Sequence, residues 1–359
     1  MNNIKVFGSD EQLKRLENND DVLFACVLSN TAIARIDGIS GAGVNSDLIQ
    51  YTPALDAELI MRNVPLSLDE IAVTVEEGLD EPSPTPGVLS KATIELFDMP
   101  FISFNAGLEI APKVPYVDLN GQPGGDLREG KGVPNPKEIF DNAVDAAKEL
   151  SKLTSHIMIA ESTPAGTTTA QGVLTALGYD ARNKVSGCMK TNPHELKNSV
   201  VDAALEKNGL KPGDLKNDGF KAAAVAGDTT IVAAAGLAIG SSVPVTLAGG
   251  TQMTAVCALI KAIEPDFDFS KIAIATTVYV ANDETSNIID IVNQIGDISV
   301  YAADPEFEKS SNSGLRAYTE GSIKEGVGAG GAMVYAFMNG VSVDDYRAKV
   351  EAICKSQMG

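Results

Sequence analysis

The chain has no tryptophan, two histidines and four cysteines, and aromatic residues make up 5% of its 359 positions. Each scarcity removes a class of function. With so few aromatic faces, a surface that stacks successive bases of a single strand is not expected. His156 and His194, and Cys26, Cys188, Cys257 and Cys354, are scattered without metal-ligand spacing. No metal site is expected, and the thiols are read as reduced. Basic residues are also short: 28 Lys and Arg against 48 Asp and Glu give a formal net charge of −20, which repels nucleic-acid phosphates. No apolar run is long enough to span a membrane, and the opening MNNIKVFGSDEQLKRLENNDD carries charge where a secretory signal needs an apolar stretch. The expectation is a cytoplasmic protein that binds neither nucleic acid nor membrane.

What the chain has in quantity is apolar and small residues, 44% hydrophobic with 33 glycines, enough for a large buried core. The most informative stretch is Ser155 to Leu177, SHIMIAESTPAGTTTAQGVLTAL. His156 to Ala160 is short and apolar, as a strand buried on both faces would be. From Thr167 onward, Thr168, Val173, Leu174 and Leu177 recur at helical spacing, and Glu161, Pro164 and Gly166 lie between. A strand that feeds a helix through such a loop aims backbone N–H groups and hydroxyls at one point, where the helix N-terminus favours an anion. That describes a phosphate or carboxylate cradle; an ordinary crossover with threonine caps has the same pattern. The grammar returns at Ala222 to Ile231 (AAAVAGDTTI), at Val243 to Thr254 (VPVTLAGGTQMT) and, as a variant, at Ile323 to Ala332 (IKEGVGAGGA). In a parallel sheet these loops gather at the carboxyl ends of the strands and predict one shared pocket.

Strands are expected at Val22–Leu28, Phe101–Asn105, Ala222–Ala226, Val243–Leu247, Ile272–Val280 and Ile298–Ala302. Helices are expected at Tyr51–Ile60, Ser67–Glu77, Pro136–Leu150, Asn192–Asn208 and Ser342–Lys355. The alternation predicts an α/β fold, doubly wound around a mostly parallel sheet with helices on both faces (Rossmann-like), plus a smaller helical subdomain from the chain ends. Residues 1–97 would form an N-terminal segment contributing to that subdomain and to a base pocket, 98–335 a nucleotide-binding core, and 336–359 a C-terminal helix packed on it. Glu81 to Gly87 (EPSPTPG) reads as a hinge or a rigid turn. The irregular crossing from Pro112 to Pro136 is long enough to be a lid or a dimer contact, with Val114, Tyr116, Val117 and Leu119 as its apolar residues.

Glu325 stands immediately before a glycine-rich turn, GVGAGGA, where a ligand can approach the backbone and a desolvated carboxylate can serve as general base. Lys197, early in a helix, is either solvated or opposite an anion. At these residues the chain resembles the nicotinate-nucleotide–dimethylbenzimidazole phosphoribosyltransferase family of cobamide biosynthesis, in a divergent archaeal-type branch. The family loop GEMGIGNTTA is similar to AESTPAGTTTA, which keeps Glu161, Gly166, Thr168 and Thr169; LGEGxGA is similar to IKEGVGAGGA and puts the family's catalytic glutamate at Glu325. A glycine-rich turn followed by a helix with a phosphate-binding lysine resembles VSGCMKTNPHELKNSVV, with Ser186, Gly187 and Lys197 as counterparts. The family's IPVLxDG resembles VPVTLAGG, where Ala248 replaces the aspartate.

The resemblance implies transfer of 5-phosphoribosyl from nicotinate mononucleotide to a benzimidazole-type base, releasing nicotinate, by a homodimer. Glu325 would take the base's ring proton and Glu161 would stabilise the cationic sugar. Gly166, Thr167, Thr168, Ser186, Gly187 and Lys197 would hold the phosphate. Gly249, Gly250, Thr251, Gly326 and Ser313 would complete the substrate pocket. A pyridinium already leaves well, so no metal or cofactor is implied. The rival classes are another nucleotide-using enzyme on this fold and a binding protein that has lost the chemistry; a dinucleotide oxidoreductase is disfavoured because no G-x-G-x-x-G follows a strand.

Overall fold

The computed structural model describes residues 3–43, 47–62, 73–74 and 83–358. Ten strands run in chain order: β1 (Ile4–Phe7), β2 (Val22–Ser29), β3 (Val73–Thr74), β4 (Ser83–Pro84), β5 (Phe101–Gly107), β6 (Val117–Asp118), β7 (His156–Ser162), β8 (Val245–Ala248), β9 (Ile272–Thr277) and β10 (Ser299–Ala303). β3 and β4 form a small antiparallel pair, and the other eight make one sheet in the order β1-β10-β9-β8-β7-β2-β5-β6. All neighbours in that sheet are parallel except β1, which runs antiparallel to β10. Every residue of β2 and of β7 is buried, which explains why their sequences are apolar on both faces instead of alternating.

One face of the sheet packs on the helices Pro136–Leu150, Gly166–Leu177, Thr229–Gly240 and Gln252–Ile263. The other packs on Thr52–Met61, Gly87–Phe97, Ala329–Met338 and Val343–Met358, so helices from both chain ends cover a single face. The expected doubly wound, mostly parallel architecture is present. The first turn of helix Ala329–Met338 lies directly on the strands because Ala329, Gly330, Gly331 and Ala332 are small. A Cβ on Gly330 would sit 2.1 Å from the Thr276 carbonyl carbon, and one on Gly331 would sit 2.4 Å from the Ala248 Cβ.

From β7 the chain steps outward through β8, β9 and β10, whereas from β2 it steps the other way through β5 to β6. The order therefore reverses between β2 and β7, and the loops leaving these neighbours diverge to open a crevice at their carboxyl ends.

Several expectations need correction. Ala222–Ala226 is part of a helix, Gly219–Ala226, begun by the Asp218 side chain accepting from the Lys221 N–H; a short alanine-rich run suits either element until its cap is read. Strand β9 stops at Thr277, and Val278–Ala281 turns into a helix under a Thr277 hydroxyl cap. The helix expected from Asn192 begins at His194, because the Asn192 side chain bonds the Val185 carbonyl and Lys197 and so lies in the preceding turn. Most of the helix expected at Ser67–Glu77 lies outside the described residues, and Val73 and Thr74 are strand. The crossing from Pro112 to Pro136 contains β6 and a short helix, Leu127–Glu129. Val114 and Leu119 are buried inside the chain, and Tyr116 and Val117 are exposed.

Candidate active site

The crevice holds a cavity of about 900 Å³, counting its open mouth. Its wall comes from the segment after β2 (Ile39, Ser40, Ala42, Gly43), from Thr52 and Asp56, from Thr85 and Pro86, and from the end of β7 into its helix, Glu161 to Thr167. Ser186 to Cys188, Gly250 to Gln252, Val280, Ile323 and Glu325 to Val327 close it.

Glu325 is fixed by the backbone that follows it. Its carboxylate accepts from the Gly326 N–H (3.0 Å), from the Gly330 N–H (3.1 Å to each oxygen) and from the Thr276 hydroxyl (3.3 Å). A side chain on Gly330 would collide with it, so glycine at 330 is what lets the carboxylate reach that N–H. Burial pushes its pKa up to about 7 against the pull of these donors. Glu161, at the end of β7, is 8% exposed. Burial, then the nearby charges of Asp228, Glu325 and Asp56, push its pKa up to about 8. The Glu161 carbonyl accepts the Val327 N–H at 2.8 Å, which stitches the strand carrying one glutamate to the loop carrying the other. Two carboxyl groups with raised proton affinity thus share one cavity, and the charge of Glu325 contributes to the shift of Glu161.

The loop Thr163–Thr167 turns into its helix through Ala165 at φ +65°. Gly166 leaves room there for the Gln252 amide, whose Oε1 would lie 2.2 Å from an added Cβ. Beneath it the fully buried Asp228 caps helix Thr229–Gly240 through the Ile231 N–H (2.9 Å), accepts from Gln252 Nε2 (3.1 Å) and accepts from the Thr169 hydroxyl. One carboxylate therefore locks together the N-terminal ends of three helices. Burial pushes its pKa up to about 6. Asp56 is a similar node on the opposite wall: it accepts from the Thr85 hydroxyl (2.7 Å) and the Ser162 hydroxyl (2.6 Å), and burial pushes its pKa up to about 6.

The third wall is the turn Ser186–Gly187–Cys188. Lys197 is fully buried behind it, donating to the Ser186 carbonyl (2.6 Å) and to Asn192 Oδ1 (2.8 Å); burial lowers its pKa to about 8. The solvated alternative for Lys197 is excluded. The ammonium lies directly behind the turn it braces: a Cβ on Gly187 would be 3.3 Å from Nζ.

Of the residues singled out from sequence, Glu325, Glu161, Gly166, Thr167, Ser186, Gly187, Gly250, Thr251 and Gly326 line the cavity together. Thr168, Lys197, Gly249 and Ser313 do not reach its wall. Thr168 is buried within its helix, with no hydrogen-bond partner for its hydroxyl among the described residues. Ser313 starts a short helix beside Ser310 and Ser311, whose hydroxyls bond Glu351 of the C-terminal helix. Ala248 is buried beneath Gly328 and Gly331, which fit against its Cβ and fill the space a longer side chain would need. Asp56, Asp228 and Gln252 escaped the sequence reading. Asp228 was visible as an Asp-Thr-Thr helix cap; Asp56 was not, being one carboxylate inside an apolar helix.

No protein-family model matches the chain. Its fold is shared with two solved structures from Thermus thermophilus. One is CobT (TM-score 0.55, 15% identity, 96% of this chain and 88% of that one); the other is described as a nicotinate-nucleotide–dimethylbenzimidazole phosphoribosyltransferase (TM-score 0.53, 15% identity, 96% and 87%). At that identity the likeness speaks for the fold. Among curated proteins, a UPF0284 protein of Methanothermobacter thermautotrophicus is 50% identical over 353 residues, covering 98% of both chains. A UPF0284 protein of Methanosarcina mazei is 44% identical over 336 residues, covering 93% of this chain and 94% of its own. With relatives this similar along nearly its whole length, the chain belongs to the UPF0284 family.

Proposed function

We propose that the protein transfers a 5-phosphoribosyl group from nicotinate mononucleotide to a benzimidazole-type base. The observation that carries this reading is the Glu325 carboxylate: held by two backbone N–H groups and a threonine hydroxyl, facing the cavity, with its proton affinity raised by burial to the range a general base needs near pH 7. A ring nitrogen of the base attacks C1′ of the ribose, the bond from C1′ to the nicotinate nitrogen breaks, and the ring N–H proton passes to Glu325. The pyridinium leaves as neutral-ring nicotinate, so this step needs no acid. Glu161 faces the sugar from the β7 side; charge building on the ribose favours its ionised form and is stabilised by it.

In this reading the phosphate lies between Gly166 and Thr167 on one side and Ser186 and Gly187 on the other, with Lys197 bracing the second turn. The fold shared with CobT and the loop motifs support the assignment. The test is incubation of the purified chain with nicotinate mononucleotide and 5,6-dimethylbenzimidazole, with chromatography of the products. Base-dependent release of nicotinate together with a new ribotide is expected; nicotinate mononucleotide left intact with every base supplied would sink the proposal.

A further inference from the structure

Lys324 occupies a backbone conformation that suits glycine. Its φ is +63°, flanked by Ile323 at +61° and followed by Val327 at +54°. The motif LGEGxGA that IKEGVGAGGA resembles has glycine at this position, where the left-handed region carries no Cβ penalty. This chain holds a lysine there instead, with its carbonyl pinned by the Thr277 hydroxyl at 2.6 Å. Strain of this kind persists where surrounding structure enforces it, and it concentrates at functional sites.

The lysine's side chain is 3% exposed and meets Asp283, 6% exposed, at 2.7 Å. The same Asp283 oxygen accepts the Ser186 hydroxyl at 3.3 Å. Thr285 bonds Asp283 and Asn192, and Asn192 bonds Lys197, whose ammonium returns to the Ser186 carbonyl. A closed ring of polar groups, buried except for Thr285 at its exposed edge, thus sits behind the cavity turn, and among the described residues its charged members are two lysines and one carboxylate. Neither the Gly187 nor the Cys188 amide finds a backbone or side-chain acceptor among the described residues. In a chain of net charge −20, an excess of buried positive charge under a turn with unpaired N–H groups calls for an anion on the other side.

We propose that Lys324 keeps the anion seat positive: by cancelling Asp283 it leaves the Lys197 charge uncompensated beneath the Ser186–Gly187 turn, where the phosphate of the nucleotide docks. The identity of the anion rests on the phosphoribosyl reading above; the charge arrangement does not. Lys324 acts through Asp283 and Ser186 and is a positioning residue. Its place directly before Glu325 joins the phosphate seat to the proton acceptor through one stretch of backbone.

The competing explanation is that the Lys324–Asp283 pair is structural and leaves anion affinity untouched. K324M leaves Asp283 to cancel Lys197, whereas D283N/K324M removes both charges, restores the local sum of one positive charge and leaves no orphan ion to unfold the chain. Full-length wild type, K324M and the double variant are titrated calorimetrically with inorganic phosphate and with nicotinate mononucleotide. K324M weakens both by on the order of tenfold to a hundredfold, and the double variant recovers most of that loss. Wild-type phosphate affinity in K324M overturns the proposal, as does a wild type that binds neither probe. D283N, which raises the local sum to two positive charges and should tighten both, provides the comparison should K324M not fold. Phosphate binding that depends on Lys324 in a chain releasing no nicotinate supports the seat and removes the transfer reading alone.

Discussion

Replacing Glu325 by glutamine keeps the size of the side chain and an oxygen for the Gly326 and Gly330 N–H groups, and removes the atom that takes a proton. We expect Glu325→Gln to lower kcat by roughly 10²–10⁴ while leaving both substrates bound, since general-base catalysis is of that size. Near-normal turnover in the variant would assign the base elsewhere. The buried carboxyls also set a pH dependence of stability with an unusual sign. Folding raises the pKa of Glu161 to about 8, of Glu325 to about 7, and of Asp56 and Asp228 to about 6. Each then holds its proton more tightly folded than unfolded, so its contribution is complete below the unfolded value and is lost as pH rises through the folded one. Thermal midpoints should therefore fall from about pH 5 to about pH 8, and Glu161→Gln should flatten the upper part of that slope; a midpoint that climbs over this interval would refute it. At this scale the sequence was legible where glycine marked a site. Glu325 stood out because of the turn after it, while Lys324 carried no such mark, because left-handed backbone leaves no trace in residue type when the residue is lysine.

Three twelve-residue helices, Gly166–Leu177, Thr229–Gly240 and Gln252–Ile263, begin around Asp228. Removing the carboxylate leaves the buried Ile231 N–H and Gln252 amide without this acceptor, while the Thr169 hydroxyl keeps only the Gly166 carbonyl. Asp228→Ala should cost roughly 2–4 kcal/mol in a denaturant titration, and Asp228→Asn, which keeps one acceptor, clearly less; equal losses would mean that packing and not hydrogen bonding is what the residue supplies. Elements were readable in proportion to how far local signals and burial agreed. The strands β2 and β7 and helix Pro136–Leu150 announced themselves through apolar runs and a single apolar stripe, and Ile139, Phe140, Ala143 and Ala147 of that stripe are buried. The stretch Ala222–Ala226 did not, because alanines and one valine fit a buried strand and a buried helix equally, and the deciding Asp218 cap lies outside the apolar run. Loop walls such as Ser40–Gly43 carry no periodic pattern, and their place at the cavity follows from the strand order.

Across the molecule, the sheet ends on one side in β6, two residues long, where Val117 and the preceding Tyr116 are exposed. An edge strand with exposed apolar side chains is a surface that a second copy can cover. We expect a homodimer in sedimentation at micromolar concentration, converted to monomer by Tyr116→Asp with Val117→Asp; a wild-type monomer would remove the expectation. The cavity, by contrast, is assembled from stretches spread between Ile39 and Val327. No fragment holds even half of its wall in consecutive order, so the chain has a place for substrate only after nearly all of its long-range pairings are complete. Occupancy is thereby a test of chain integrity. A ligand at a hundredfold excess over its Kd should add about 2.7 kcal/mol to global unfolding. Hydrogen exchange should slow together in β2, β7 and the C-terminal helices and not around the cavity alone. A molecule nicked anywhere in those stretches would lose substrate before it lost its shape.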